Sequence, residues 1–536
     1  MLQDRNEIAV GETIPEGLRY EAGQKASVIT NRSTVRFYPT SGMNVDSKTN
    51  KVTIFRLSSS SFLDPRTATL HFRLSVPDWR IVPEDLLVSL IQSITLNIGG
   101  VEVSHVDNMG EAYKMMSYAA CPKQVYDNNW HANSGAYKYR QCKRLNMYYG
   151  ADHDGTDLLR DDSMTVPIVG QTIDDTSYPM FKGENECFTT WGDGKKGKWC
   201  TLPLAELLFF FRTSQLIPTP FLGSIDITIN WAAFEKACLV STGYERDANG
   251  IVTATTDAGG GLGTSVSVDN SKYNLDDLTI SVDTCDLDKT YVSLLSGLVS
   301  SSAQGIVLPY SDLTVSTRAF QNSGQNSIYI SKGVSYLNKL FFGLRSQKHV
   351  NNQFVDKSQF KFADAFRGGS YQTEIGSKLF PETRVTDSAT AYLELTKAVD
   401  SIQNYDQGGV IDNESYHGIV TGALTDAPYA PPETVGAAHM HSMRETKQAF
   451  IMGQNLEKAM GSSGVRSGMS LKLSGYSIHL QLQLRTAGSS TFALGSDDQK
   501  RYEPNQHLWD KQMNLLCVMV HDKALVLRQD AVTVSE

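Results

Sequence analysis

The stretch SLIQSITLNIGGVEVSHVDNMGEAYKMM, residues 89–116, carries the reading of the fold. Ile94, Leu96 and Ile98 alternate with polar residues, the period-two pattern of a strand with one face buried. Ile98-Gly99 closes that strand. Further on, VDNMGEAYKMMSYA (106–119) changes to a helical period, with Met109, Tyr113 and Met116 on one face and Asp107 or Asn108 placed as N-cap. A strand, an Ile-Gly end and a capped helix thus follow one another in fewer than thirty residues.

The same order recurs in the second half. Ile375-Gly376 sits in a strand and Ala391-Tyr392 follows in a helix, TDSATAYLELTKAVDSI (386–402), with Thr386, Asp387 or Ser388 available as its cap. The two Ile-Gly pairs are 277 residues apart, close to half of the 536-residue chain. Downstream, the alternating run SIDITINW (224–231) corresponds in order to YSIHLQLQL (476–484). Self-similarity at so long a period points to duplication of a whole domain.

Strand-like runs fill the space around these anchors. TVRFYP (34–39), KVTIFRL (51–57), TATLHFRLSV (67–76), SITLNIGGVEV (93–103), ELLFFFRT (206–213), SIDITINW and DLTISVDT (277–284) lie in the first half. STRAF (316–320), NSIYISKG (326–333), LNKLFFGLRS (337–346), YQTEIGSKLFP (371–381), QAFIMG (448–453), LKLSGYSIHLQLQLR (471–485), NLLCVMV (514–520) and ALVLRQ (524–529) lie in the second. They are rich in Val, Ile, Phe and Thr and are separated by Gly, Pro, Asn and Asp. The expected fold class is all-β: two tandem eight-stranded antiparallel jelly rolls with long loop insertions and a few short helices. The expected division is residues 1–285 for the first roll and 286–536 for the second. Four polar, aperiodic segments, 120–200 and 232–276 in the first and 347–370 and 401–447 in the second, are too long for plain connections. They are expected to rise from one end of each sandwich as a tower.

Composition limits the function. Forty-nine basic against 58 acidic residues leave a net charge of -9, the wrong sign for a coat that grips phosphates over its whole surface. The small basic cluster at Lys195, Lys196 and Lys198 reads as a solvated loop tip. Seven scattered cysteines, Cys121, Cys142, Cys187, Cys200, Cys238, Cys285 and Cys517, show no C-x-x-C spacing and read as reduced thiols. The segment MLQDRNEIAV is charged where a signal peptide is apolar, and LPLAELLFFF is broken by Glu206, short of a membrane span. The expected setting is therefore a reducing, soluble compartment.

Motifs for chemistry fail on their own geometry. GGGLG (259–263) lacks the strand, helix and Lys of a phosphate loop. Asp152-His153-Asp154-Gly155-Thr156-Asp157 alternates carboxylates before a Gly as a calcium loop does, but no Glu follows in register, and a polar turn is preferred. His439-Met440-His441 offers two imidazoles without a third ligand. Asn31-Arg32-Ser33 and Asn413-Glu414-Ser415 match glycan-acceptor spacing and read as coincidence. Of Phe209-Phe210-Phe211, one or two are expected to face the core and the third to pack under a loop or against a neighbouring subunit. No catalytic, cofactor or metal residue is assigned, no cofactor is expected, and the chain is not expected to be an enzyme.

Five passages in sequence order resemble the double jelly-roll, hexon-like major capsid proteins of the adenovirus, virophage and polinton lineage, with polinton-like viruses and adintoviruses nearest. They are the opening stretch; LPLAELLFFFRTSQLIPTPFLGSIDITINW (202–231); TEIGSKLFPETRVTDSATAYLELTKA (373–398); QAFIMGQNLEKAMGSSGVRSGMSLKL (448–473); and MVHDKALVLRQDAVTVSE (519–536). The resemblance implies a homotrimer with a pseudo-hexagonal outline that tiles an icosahedral double-stranded DNA virus shell. It also implies neighbouring capsomers, a single jelly-roll penton protein at the vertices and minor cement proteins as partners. It implies a virion location after synthesis and assembly inside the host cell, and no sequence-specific nucleic-acid binding. An internal membrane varies within that lineage and stays open. Two rival classes are a tandem β-sandwich carbohydrate-binding protein, which needs an aromatic platform, and a jelly-roll polysaccharide-active enzyme, which needs paired carboxylates on adjacent strands. Neither pattern is visible.

Overall fold

A computed structural model describes residues 29–49, 51–77, 81–83, 87–120, 198–213, 215–240, 244–246, 252–254, 272–301, 305–334, 336–346, 369–399, 450–457, 468–471, 477–484, 512–528 and 531–535. Eight strands form a first unit: β1 (Ile29–Phe37), β2 (Val52–Leu57), β3 (Phe62–Ser75), β4 (Ile91–Ile98), β5 (Val101–Asp107), β6 (Lys198–Pro203), β7 (Ile225–Trp231) and β8 (Asn274–Leu287). A second set follows: β9 (Ile306–Gln321), β10 (Gln325–Ile330), β11 (Leu337–Ser346), β12 (Ser370–Ile375), β13 (Lys378–Val385), β14 (Ile451–Asn455), β15 (Ile478–Gln483) and β16 (Gln512–Arg528). A last strand, β17 (Ala531–Ser535), folds back on β16.

All pairings are antiparallel, and the two sets have one topology. The first packs sheet β1-β8-β3-β6 with sheet β2-β7-β4-β5; the second packs β9-β16-β11-β14 with β10-β15-β12-β13. In each, the strand order is first-eighth-third-sixth in one sheet and second-seventh-fourth-fifth in the other, which is the jelly-roll path. The chain therefore has the double jelly-roll fold.

Side-chain alternation dictates which face closes. In β7, Ile225, Ile227, Ile229 and Trp231 are buried while Asp226, Thr228 and Asn230 lie towards the other face. In β15, Ile478, Leu480 and Leu482 do the same against His479, Gln481 and Gln483. Each fully buried Ile or Leu contributes about 1.5–3 kcal/mol relative to an exposed one. The indole of Trp231 donates to the Thr53 hydroxyl at 2.8 Å, so both polar atoms stay bonded inside the core.

The repeated Ile-Gly pair marks one hairpin in each roll, so SITLNIGGVEV and YQTEIGSKLFP each contain two strands and a turn. Ile98 pairs with Val101, and Ile375 with Lys378. Gly99 and Gly376 take φ of 58° and 65°, the left-handed region that favours glycine. After each hairpin comes the expected helix, α1 (Met109–Ala120) in the first roll and, in the second, a helix over Ser388–Ala398. Of the offered caps, Asp387 accepts from the Thr390 backbone N–H. At the first helix, Asn108 stands at φ 48°, and its side chain instead accepts from Gln92 at 2.9 Å.

Several expectations are corrected. ELLFFFRT is not a strand: Leu204–Leu207 is a helical turn and Phe209–Arg212 a 3-10 turn. A strand would send alternate phenylalanines to opposite faces, whereas the turn buries all three. The sixth strand is β6, whose first residues had been placed in the loop 120–200. NLLCVMV and ALVLRQ are one strand, β16. Between the rolls lies an unanticipated helix, α2 (Lys289–Ser301), which makes the Ser388–Ala398 helix α3. The segment 232–276 is only partly a loop. It holds a helical turn at Phe234–Ala237, a strand Cys238–Val240 paired with Ile81–Pro83, a hairpin of Tyr244–Arg246 with Val252–Ala254, and the buried Tyr273 and Leu275. Residues 121–197, 347–368 and 400–449 lie outside the described residues.

Candidate functional site: the seam between the rolls

The sequence leads that invited chemistry scatter. The Asp152–Asp157 run, the glycines of 259–263, His439-Met440-His441, Asn413-Glu414-Ser415, Lys195 and Lys196 lie outside the described residues, as do Cys121, Cys142 and Cys187. Cys200, Cys238, Cys285 and Cys517 are buried thiols outside any disulfide, and burial pushes the Cys517 thiol pKa well up. Asn31-Arg32-Ser33 lies on the exposed strand β1, where the Asn31 amide bonds Asp286 at 3.3 Å. Among the described residues, no group of three His, Cys, Asp or Glu is placed to hold a metal ion, and no helix is long and apolar enough to cross a membrane.

What the fold does assemble is a seam in which the first roll's β5 edge meets the second roll's β9. The turn Phe209–Arg212 supplies its apolar part. Phe210 packs edge-on against Phe211 at 5.8 Å between centroids and edge-on against Tyr310 of the second roll at 5.1 Å. Such aromatic pairs contribute about 0.5–1.5 kcal/mol each beyond their burial. The Arg212 guanidinium lies over the Phe209 ring, 3.6 Å from its centroid, while its Nε donates to the Ala205 carbonyl at 2.8 Å.

Polar contacts fix the register of the two rolls. The Tyr310 hydroxyl donates to the Val103 carbonyl at 2.9 Å. The neighbouring Ser104 hydroxyl donates to Asp312 at 2.6 Å, and the second carboxylate oxygen of Asp312 meets Lys523 at 2.8 Å. Asp312 is 1% exposed, so this carboxylate is held by its partners and not by water. Deeper along the seam, Glu111 on α1 forms an ion pair with Arg345 of β11, whose side chain is 3% exposed. At the far end, a Cβ added to Gly99 would lie 3.0 Å from Cγ2 of Val532, which places β17 against the first roll's hairpin. A cleft of about 440 Å³ opens beside the seam, with Met116, Phe209, Arg212, Tyr310, Phe341 and Lys523 among its walls.

Sequence reasoning placed one or two of Phe209, Phe210 and Phe211 in the core, where the structure buries all three, and missed the rest of this site. A charged residue inside the strand LPYSDLTV was the one local signal for Asp312. Nothing local marks Ser104 as its neighbour, or Val103 as the neighbour of Tyr310.

No family model and no curated protein matches this chain. Among solved structures, the fold is similar to Vp54 of the virus PBCV-1, a crystal structure fitted into a cryo-EM reconstruction of the virophage Sputnik: TM-score 0.51, 9% identity, 96% of this chain and 99% of that one. A quasi-atomic model of the PBCV-1 capsid matches with the same values. The 3.5 Å cryo-EM structure of Sputnik matches at TM-score 0.52 and 12% identity, over 99% of this chain and 93% of that one. The likeness runs the length of both rolls and is one of fold.

Proposed function

We propose that this chain is a major capsid protein whose homotrimers form pseudo-hexagonal capsomers of an icosahedral double-stranded DNA virus shell. One observation carries the reading: two rolls of identical topology are locked edge to edge by a buried seam within one chain. Three such chains present six like rolls, the geometry that lets a trimer fill a six-fold tile. The similarity in fold to the PBCV-1 capsid protein and to Sputnik, over nearly the whole of each chain, supports it.

On this reading the role is structural and not catalytic. The first roll ends with β8 and the second begins with β9, close to the expected division at residues 285 and 286, and the protein resides in the virion. Neighbouring capsomers, a penton protein and cement proteins are its partners. Large homotypic interfaces, about 2,000 Å² or more, hold the trimer, and weaker contacts join trimers into the shell.

Light scattering on purified protein tests the proposal. The expected particle is about 180 kDa, three times the 59.1 kDa chain, and negative-stain micrographs are expected to show pseudo-hexagonal outlines. A stable two-lobed monomer at micromolar concentration would overturn it.

A further inference from the structure

We propose that Ser327, His479 and Glu374, in a row across the outer face of the second roll's sheet, form an acyl-transfer site that cleaves small aryl esters. The site is separate from the seam, goes beyond the shell role, and stands whether or not the capsid reading does. The three residues come from β10, β15 and β12, which are neighbours in one sheet. Each lies on the face turned away from the core. Glu374 pairs directly with His479, and Ser327 pairs with Gln481, two residues further along β15.

The hydrogen bonds give the row a direction. His479 Nδ1 lies 3.0 Å from Glu374 Oε2, and its Nε2 lies 2.6 Å from the Ser327 hydroxyl. An ionised carboxylate can only accept, so the imidazole proton sits on Nδ1 and leaves Nε2 as a bare acceptor. Ser327 then donates to Nε2. Nucleophile, base and orienting carboxylate stand in the relation that marks a hydrolytic triad by geometry, whatever the fold. The Tyr329 ring stacks on the imidazole, with 4.2 Å between centroids and 3° between planes. That contact fixes the ring and favours its cationic form. Gln481 donates to Glu374 at 3.3 Å and so holds the carboxylate in turn.

Each part has a chemical task. Ser327 Oγ attacks the ester carbonyl while its proton passes to Nε2. The bond to the aryl oxygen then breaks, and that oxygen leaves with the proton from Nε2. Water completes the cycle: it gives one proton to Nε2, its oxygen takes the acyl carbon, and Ser327 Oγ recovers the proton as the acid departs. Gln481 stands across from Ser327, and the second N–H of its amide has no acceptor among the described residues. It can meet the carbonyl oxygen as that atom turns anionic. Tyr329 is 60% exposed and offers its flat side to an aryl leaving group.

Another row of this kind stands on the first roll, where Thr95, His105 and Asp107 are joined at 2.8 and 3.1 Å. Its hydroxyl is secondary, and its imidazole and carboxylate side chains are 39% and 53% exposed, against 15% and 36% for His479 and Glu374. It serves as an internal control and is expected to stay unreacted.

A biotinylated fluorophosphonate and p-nitrophenyl acetate, applied to the full chain, test the assignment. Peptide maps of native wild type are expected to place the phosphonate on Ser327 and none on Thr95, with the adduct lost after unfolding in urea. Ser327→Ala is expected to remove the adduct. His479→Gln is expected to slow both labelling and ester cleavage by about 100-fold or more, the range of general-base catalysis. Glu374 is a positioning residue, so Glu374→Gln is expected to lower kcat about tenfold or more with KM unmoved, and Glu374→Asp to recover part of the loss. These side chains lie on the outer face, so the variants are expected to melt as wild type does. Native wild type without an adduct on Ser327, or ester cleavage equal in wild type and Ser327→Ala, would overturn the proposal.

Discussion

The Tyr310 phenol donates a 2.9 Å hydrogen bond to the backbone carbonyl of Val103, joining strands that belong to different rolls. The same ring packs edge-on against Phe210, so one side chain serves both the polar and the apolar part of the seam. Tyr310→Phe keeps the ring and removes the donor, leaving a buried carbonyl short of its partner. The expected loss is about 1–2 kcal/mol in a urea melt. Tyr310→Ala removes the ring as well and is expected to cost about 3–5 kcal/mol. Equal losses in the two variants would show that the hydrogen bond, and not the ring, holds the seam.

Asp312 accepts from Ser104 and faces Lys523 where neither side chain is more than 12% exposed. Asp312→Asn removes the negative charge and leaves the Lys523 ammonium in a low-dielectric setting. A loss of about 3 kcal/mol is expected. Replacing both residues with apolar ones of similar size, Asp312→Leu with Lys523→Met, is expected to recover most of that loss. If the double variant were no better than the single one, the hydrogen bond to Ser104 would be carrying the stability instead of the pair.

These two contacts also show where sequence reading stops. The repeat of the Ile-Gly pair was legible but the hairpins were not: 93–103 and 371–381 each read as one strand, whereas the turns after Ile98 and Ile375 put Gly99 and Gly376 at positive φ at the same place in each roll. β7 and β15 were legible because one face is core and the other is not. The segment 206–213 was misread as a strand because three successive aromatics fit a strand and a helical turn equally on local pattern. β6 was hidden because it is short and directly follows a long aperiodic segment. Val103 and Tyr310 are about two hundred residues apart, so no local period can announce their contact.

His71 sits in β3 with its Nε2 2.6 Å from the Ser281 hydroxyl and 2.9 Å from that of Thr69. Burial, with Arg36 adding to it, holds its pKa below the usual 6.5. The folded protein therefore favours the neutral ring, while the unfolded chain takes up a proton near 6.5. Stability from this residue is fully present above about pH 6.5 and is lost as pH falls through the lower folded value. His71→Gln is expected to flatten the fall in urea midpoint between about pH 7.5 and pH 5.5. An unchanged slope would place the acid sensitivity on other groups.

Gly99 combines two constraints that a double-mutant cycle can separate. Its φ of 58° disfavours any residue with a Cβ, at about 1–2 kcal/mol. The added carbon would also stand 3.0 Å from Val532 Cγ2 and 3.2 Å from the Leu222 carbonyl oxygen, closer than ordinary packing. Gly99→Ala is thus expected to cost more than the backbone term alone and to push β17 off the hairpin. Val532→Ala removes the nearer clash at the price of a partly buried side chain. The pair together is expected to be less destabilised than the sum of the singles by about 1 kcal/mol. Strict additivity in urea melts would mean that β17 does not seat on the Gly99 hairpin, and the seam would then be closed by β9 alone.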